Sequence, residues 1–223
     1  ESVQLLLDNG ADVNAEDKDG WTPLMHASYD DYADVTQLLI DNGADINAKT
    51  DDGLTALMFA SYDGYEDVTQ LLIDNGADVN VKDKYGLTPL MHVSAIGRTE
   101  SVQLLLDNGA NVEAQDKDGQ TALMRAVYNG HTDTVQLLLD NGANINAKDK
   151  YGSTALIYAS FFGNTDTVQL LLDNGADINA KTEDGQTAYD IAKEEGHTDV
   201  VEVIEKYQSP QENDNNSEIS LER

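Results

Sequence analysis

The sequence predicts an all-α solenoid of stacked helix–turn–helix units. The segment Asp-Asn-Gly-Ala recurs at a constant step of 33 residues, beginning at positions 8, 41, 74, 107, 140 and 173. A glycine followed two residues later by threonine keeps the same step, beginning at positions 20, 53, 86, 119, 152 and 185. Only three prolines interrupt the 223 residues, so most of the chain is free to form helices. A period of about 20 to 50 residues is typical of solenoids, in which each unit packs on its neighbours.

The first half of one unit, residues 83–115, predicts a turn and a helix. Residues 83–86 have the composition of a tight turn, because the glycine adopts positive φ without steric cost. Thr88 and Pro89 begin the helix, since a threonine hydroxyl caps the first turn and proline fits the first helical position. Gly97 ends this helix in the left-handed conformation.

The second half of the unit predicts another helix and an extended segment. This helix begins near Thr99 and places Val102, Leu105 and Leu106 on one apolar face. Asn108-Gly109 ends it, and residues 110–115 are extended. Each unit is therefore predicted to contain a helix, a tight turn, a second helix and a hairpin-like finger. Stacking of the units buries their apolar stripes in one continuous core.

The unit resembles the ankyrin repeat. The resemblance is carried by Asp-Lys-Asp-Gly-Trp-Thr-Pro-Leu at 17–24, Gly-His-Thr-Asp-Thr-Val-Gln-Leu-Leu-Leu at 130–139 and Asn-Gly-Ala-Asp-Ile-Asn-Ala at 174–180. It covers about residues 1–207, with spacing and residue type agreeing in every copy. The resemblance implies an ankyrin-repeat solenoid with hairpin-like fingers.

The repeat divides residues 1–207 into seven segments. These are a half unit 1–16, the full units 17–49, 50–82, 83–115, 116–148 and 149–181, and a C-terminal capping unit 182–207. Residues 208–223 are predicted to be an acidic and polar disordered tail, because they contain too few apolar side chains for a core. The chain opens within a repeat and without Met, so we expect further repeats before residue 1 in a longer protein.

Two features depart from the usual ankyrin pattern. Methionine replaces the histidine that commonly follows Thr-Pro-Leu, and we expect Met25, Met58, Met91 and Met124 to fill core space instead. Asp31 occupies the position of the usual glycine between the two helices. We expect a distorted turn there, with a strain of roughly 1 kcal/mol.

The net charge restricts the expected partners. Acidic residues outnumber basic ones by 42 to 13, giving a formal charge of −29. Nucleic acid and anionic membranes are not expected as partners, because both attract clustered Lys and Arg. A protein partner is expected, and the charge favours a basic one. Alternatively, the charge only keeps a long apolar stack soluble and monomeric. The second helices are almost purely acidic, because eight basic residues lie in or beside the fingers: Lys18, Lys49, Lys82, Lys84, Lys117, Lys148, Lys150 and Lys181.

Cysteine is absent, and this excludes several kinds of chemistry. Disulfides, zinc–thiolate sites and cysteine nucleophiles are not available to the chain. A reducing compartment is permitted, and a cytoplasmic or other intracellular location is expected. No run of about 18 apolar residues occurs that could span a membrane.

The histidines and carboxylates do not predict a catalytic site. His26 and His92 lie two units apart, about 20 Å, so they cannot share a metal or a proton. His131 and His197 fall in the turns between helices, where local hydrogen bonding is expected. The acidic fingers lack the glutamate of a calcium loop and contain intervening lysines. We therefore expect no enzyme activity, no metal, no cofactor and no small-molecule substrate.

Candidate partner-binding residues lie where the repeats vary. In proteins that the chain resembles, partners usually dock on a concave side made of the fingers and the exposed edge of the first helix. The corresponding positions here are Trp21, Tyr29, Leu54, Tyr62, Tyr85, Leu87, Ile96, Tyr128, Tyr151, Phe161 and Phe162. Aromatic side chains are favoured interface anchors. The alternative is that Tyr29, Tyr62 and Tyr128 pack on one another between units; Trp21, Tyr85 and Phe162 are harder to explain by packing alone.

Three functions remain compatible with these residues. The first is a non-enzymatic scaffold that binds a partner protein through the concave face and the fingers and is monomeric when fully capped. The second is a targeting arm of a larger multidomain protein or enzyme. The third is a structural spacer, or a stack that self-assembles through its open N-terminal end.

Overall fold

The protein, represented by a computed structural model, is described from residue 2 to residue 208. All regular structure in this range is α-helical, as the sequence predicts. The tail predicted for residues 208–223 lies outside the described residues except for Gln208, which ends the last helix. The boundaries of the repeat units stay predictions.

The helices alternate between two series. The first helices of the units are α2 (Pro23–Tyr29), α4 (Ala56–Asp63), α6 (Pro89–Ile96), α8 (Ala122–Tyr128), α10 (Ala155–Phe161) and α12 (Ala188–Glu194). The second helices are α1 (Ser2–Asp8), α3 (Ala33–Asp41), α5 (Glu66–Asp74), α7 (Thr99–Asp107), α9 (Thr132–Asp140), α11 (Thr165–Asp173) and α13 (Thr198–Gln208). From α2 onward, each first helix contacts the second helix that follows it.

The two series form parallel layers around one core. From α2 onward, each first helix contacts the next first helix, and from α3 onward each second helix contacts the next second helix. Leucines at the 33-residue step are fully buried in both layers: Leu24, Leu57, Leu90, Leu123 and Leu156 in the first, and Leu39, Leu72, Leu105, Leu138 and Leu171 in the second. The core is therefore one elongated apolar column, and the predicted solenoid is confirmed.

Threonine begins every first helix from α2 to α12. The hydroxyl of each capping threonine accepts a hydrogen bond from the backbone N–H three residues later, at 3.2–3.4 Å. This bond satisfies one of the donors that a helix N-terminus leaves free. Three residues after the cap, Met25, Met58, Met91 and Met124 are buried, which confirms that methionine fills core space.

The strain in the turn between α2 and α3 is the positive φ of Asp31. Asp31 has φ of 59° and is the only residue other than glycine with positive φ among those described. The next residue, Tyr32, donates its N–H to Ala27 O at 2.9 Å, and Tyr65 donates equally to Ala60 O one unit later. The turn therefore keeps the left-handed residue and the closing hydrogen bond of the glycine-containing turns, and the expected distortion is not seen in either feature.

Fingers are joined to one another by an asparagine ladder. Asn47 accepts a hydrogen bond from Asp78 N at 2.8 Å and donates one to Gly76 O at 3.1 Å, both in the next finger. Within residues 2–208 the fingers contain no β-strand, although each is closed by hydrogen bonds such as that from Asp83 N to Leu87 O. The ladder fixes the positions of the finger tips and of the side chains they carry.

Candidate binding face

One face of the stack combines the finger tips with the outer sides of the first helices, and we call it the finger face. Seven exposed aromatic side chains lie on it: Tyr29, Tyr62, Tyr85, Tyr128, Tyr151, Phe161 and Phe162. The other predicted binding residues, Trp21, Leu54, Leu87 and Ile96, are partly buried on the same face. Whether these residues contact a partner stays a prediction.

The aromatic residues form a first cluster in the N-terminal half. Trp21 stacks on Phe59 of the next unit, with ring centroids 4.2 Å apart. Tyr29 meets both rings edge-on, at 5.7 Å from Trp21 and 6.1 Å from Phe59. Packing between units therefore accounts for much of the Trp21 ring, contrary to the expectation from sequence.

A second aromatic cluster lies in the C-terminal half. Tyr128 meets Phe162 edge-on at 4.6 Å, and Phe162 meets Phe161 at 5.0 Å. Packing thus also accounts for Phe162, which the sequence did not indicate.

No aromatic ring of residues 2–208 pairs with Tyr62, and Tyr29, Tyr62 and Tyr128 do not pair with one another. The predicted aromatic row is interrupted because Ala95 occupies its position in the third unit.

Beside the first cluster, the finger face contains an apolar groove of about 280 Å³, which we call the Phe59 groove. It is lined by Tyr29, Leu54, Met58, Phe59, Tyr62, Asp63 and His92. Three of these residues were predicted binding positions. Phe59, which sequence reasoning missed, could have been found from its repeat register, which is shared with His26 and His92.

The groove arises from a paired substitution within the repeat. In four units an aspartate in the finger meets a polar side chain nine residues later: Asp17 with His26 at 3.2 Å, Asp83 with His92 at 3.1 Å, Asp116 with Arg125 at 2.5 Å and Asp149 with Tyr158 at 2.6 Å. Where threonine replaces the aspartate, the later residue is apolar, as in Thr50 with Phe59 and Thr182 with Ile191. Phe59 has no finger carboxylate to reach, and its ring packs on Trp21 instead.

One carboxylate, that of Asp63, lines the groove. The pKa of the nearby Tyr65 hydroxyl is raised, first by burial and then by the charges of Asp63, Asp31 and Asp30. These three carboxylates therefore act on the same small region. The guanidinium of Arg98 also lies close, beside Gly64.

The finger lysines have structural contacts that the sequence did not show. Lys49, Lys82 and Lys148 each donate to a backbone carbonyl one unit further on, at 2.7–3.2 Å. Lys84 pairs with Asp52 of the preceding finger, and Lys150 pairs with Asp118 in the same way at 2.5 Å. The two paired ammonium groups lie over the rings of Tyr85 and Tyr151, at 5.0 and 4.9 Å from the centroids.

The histidines of the turns tie neighbouring units together. His131 Nε2 lies 3.2 Å from Ala95 O, and His197 Nε2 lies 2.9 Å from Phe161 O. The predicted hydrogen bonding is present, but both bonds reach back to the preceding unit and are not local. Within residues 2–208, no group of three or more His, Cys, Asp or Glu side chains is arranged to hold a metal ion. No helix in this range has the length and apolar character needed to cross a bilayer.

The fold and its candidate binding face define a class of protein: a helical repeat stack with a variable surface on a constant frame. Family profiles described as ankyrin repeats in three copies match residues 1–83 and 78–149. Profiles described as ankyrin repeats in many copies match residues 129–172 and 162–204. The chain belongs to the ankyrin repeat family, whose members are generally protein-interaction modules and usually not catalytic. A comparison with curated proteins gives no match.

Proposed function

We propose that this chain is a non-catalytic domain that binds a partner protein through its finger face. The observation that carries the proposal is the exposure of seven aromatic side chains on this one face. Aromatic side chains bury a large area with few rotatable bonds, so they anchor interfaces effectively. By contrast, the core of the stack is mainly aliphatic.

The polar contacts of the stack support a binding role without catalysis. His26 and His92 contact finger aspartates, and His131 and His197 contact backbone carbonyls of the preceding unit. Each histidine thus has a contact that orders the repeat. The matched ankyrin repeats extend over residues 1–204 and are usually non-catalytic.

The charge of the chain supports a basic protein as the partner. With a formal charge of −29, the surface attracts cations and repels phosphate backbones. At the finger tips Lys84 and Lys150 neutralise Asp52 and Asp118, with which they are paired, and the formal charge of the whole chain stays strongly negative. The alternative function, a targeting arm of a larger protein, would also bind its partner through the finger face. The proposal therefore applies to it as well.

Affinity capture with paired variants tests the proposal. The finger-face variant is Tyr62→Ala/Tyr128→Ala/Phe161→Ala, and the control is Asp67→Asn/Asp133→Asn/Asp166→Asn on exposed positions of the second helices. The finger-face variant should lose the proteins that the parent chain retains, while the control keeps them. Circular dichroism establishes that both variants remain folded. Loss in the control alone would place binding on the acidic second helices and contradict the proposal.

Self-association is a second candidate function. Helix α1 exposes Leu5 and Leu6 to 64% and 62%, unlike the equivalent leucines of later units. Exposed apolar side chains on a helix favour packing against another helix. Light scattering over a concentration series should show association that Leu5→Gln/Leu6→Gln abolishes. A monomer at every concentration would eliminate this candidate.

A further inference from the structure

We infer that the Phe59 groove binds a segment of the partner protein in which a large apolar side chain lies beside Lys or Arg. This inference rests on the proposed function and specifies its chemistry. The groove has an apolar lining, a free aromatic wall at Tyr62 and a carboxylate, Asp63, at its edge. Each of these features favours a different part of such a segment.

The lining of the groove favours an apolar anchor. Leu54, Phe59 and the buried Met58 supply aliphatic, aromatic and thioether surfaces from one unit, and Tyr29 adds a ring from the preceding unit. The volume of about 280 Å³ lies just below the roughly 300–1,000 Å³ typical of small-molecule sites. A pocket of this size accommodates one large apolar side chain of a bound peptide.

Tyr62 is the wall that a partner would cover. Its side chain is 45% exposed, and no other aromatic ring in the described part of the chain pairs with it. The next unit carries Ala95 at the position where other units place a ring, so the space beside Tyr62 is not filled by an aromatic neighbour. An apolar side chain in this space would bury ring surface that water now contacts.

The charges at the groove favour a cation beside the anchor. Asp63 lines the groove, and Asp30 follows the lining residue Tyr29 in the sequence. Arg98 is the basic side chain beside Gly64. The chain carries a formal charge of −29, so the field at the groove attracts positive charge. His92 does not oppose this field at neutral pH, because burial lowers its pKa below 6.5 and keeps the ring neutral. A Lys or Arg next to the apolar anchor would meet these carboxylates.

Selection from a displayed library of random peptides tests the inference on the full chain. The selected peptides should carry Leu, Ile, Met or Phe close to Lys or Arg. Synthetic copies should bind Tyr62→Ala roughly tenfold or more weakly, as expected for truncation of an interface anchor. They should also bind Asp30→Asn/Asp63→Asn more weakly and with a smaller salt dependence.

The control is Tyr32→Ala, which truncates an exposed tyrosine in a turn outside the groove and should leave binding unchanged. Selected peptides without basic residues, or peptides sensitive to Tyr128→Ala but not to Tyr62→Ala, would overturn the groove inference and leave the proposed function intact. Peptides insensitive to Tyr62→Ala, Tyr85→Ala and Tyr128→Ala alike would place binding off the finger face and overturn both. Failure to enrich any peptide above background would overturn the groove inference alone, because a folded partner needs no linear segment to bind the finger face.

Discussion

His92 Nε2 lies 3.1 Å from Asp83 Oδ2, which joins the first helix of the third unit to its own finger. The other carboxylate oxygen of Asp83 accepts hydrogen bonds from Tyr85 N and Leu87 N, both at 2.8 Å. One buried aspartate therefore closes the finger and holds it against the helix. In the second unit the hydroxyl of Thr50 accepts from Leu54 N, at 3.1 Å, and the helix carries Phe59. The position of the Phe59 groove follows from this difference.

Removing the Asp83 carboxylate should destabilise the stack more than removing the Thr50 hydroxyl. Asp83→Ala leaves two backbone donors and His92 without their acceptor, and we expect a loss of about 2–3 kcal/mol in the free energy of unfolding. Thr50→Ala removes one acceptor and should cost about 1 kcal/mol. Urea denaturation of both variants measures the difference. Equal losses would show that the carboxylate does not join finger and helix.

Stability should fall as the pH drops from 7 towards 5, because of His92. Burial is the main cause that lowers the pKa of His92, and the positive charge of Arg125 adds to it, while Asp83 acts in the opposite direction. Below the unfolded-state value of 6.5, the unfolded chain therefore binds a proton that the folded chain resists. The folded state loses stability until the pH passes the lowered folded-state pKa.

Replacing the histidine tests this pH dependence. Urea midpoints between pH 7 and 5 should fall in the parent chain and change less in His92→Gln. The matched control is His26→Gln, at the same repeat position but with an exposed side chain, and it should keep the slope of the parent. A slope in His92→Gln equal to that of the parent would contradict the prediction.

Glu113 interrupts the asparagine ladder, and its replacement should stabilise the chain. Asn14, Asn47 and Asn80 both accept from the next finger and donate to a glycine carbonyl in it. Glu113 accepts from Asn144 N at 2.6 Å, but a carboxylate has no N–H to donate. Glu113→Asn should restore the second bond and raise the free energy of unfolding by about 0.5–1 kcal/mol.

A second variant separates this hydrogen bond from the effect of charge. Glu113→Met removes the same negative charge and keeps a side chain of similar length, but it has no N–H to donate. We expect it to gain less in urea denaturation than Glu113→Asn does. An equal gain in both variants would mean that relief of charge repulsion, and not the ladder, is responsible.

The repeat predicted the fold because residue types that are typical of helix ends, such as Thr88 and Gly97, recur at the 33-residue step. The helix expected near Thr99 runs from Thr99 to Asp107, and Gly97 has the expected positive φ of 74°. The undistorted turn at Asp31 could not be predicted in the same way. Aspartate is disfavoured in the left-handed region, so its residue type argued against the conformation that the backbone adopts there.

The candidate site was predicted only in part. Tyr29, Leu54 and Tyr62 were expected on the binding face and line the Phe59 groove. The stacking of Trp21 on Phe59 depends on the rotamers of two side chains from different units, and register alone does not fix those. Likewise, lysine counts could not show that finger lysines donate to carbonyls one unit away.

Replacing Asp31 by glycine should stabilise the turn between α2 and α3. The φ of 59° lies in the left-handed region, which costs an L-residue about 1–2 kcal/mol and glycine much less. Part of the gain is offset by the greater freedom of glycine in the unfolded chain, so we expect about 0.5–1 kcal/mol. Thermal and urea denaturation measure it. Asp31→Ala is the control and should destabilise, because alanine tolerates positive φ less well than aspartate does.

Gly97 should be far less replaceable than Gly130, although both have nearly the same φ, 74° and 75°. A Cβ at Gly97 would lie 2.5 Å from Nδ1 of His131 in the next unit, whereas a Cβ at Gly130 would lie 3.8 Å from the nearest atom, in Asn164. Gly130→Ala should cost about 1–2 kcal/mol through backbone strain alone. Gly97→Ala should cost a further 1–3 kcal/mol, roughly, because the His131 ring must move.

A double-mutant cycle isolates the contact between the two units. Asn164 occupies the position of His131 in the following unit and leaves more space, so His131→Asn should remove most of the extra cost of Gly97→Ala. The cycle is measured by urea denaturation of the two single variants and the double variant. Equal costs for Gly97→Ala and Gly130→Ala, or additivity in the cycle, would show that the ring does not constrain the glycine. If the double variant is more stable than the sum of the two single effects predicts, the side chain at position 131 limits which residue can occupy position 97. Exchanging repeats along the stack would then place incompatible residues next to each other.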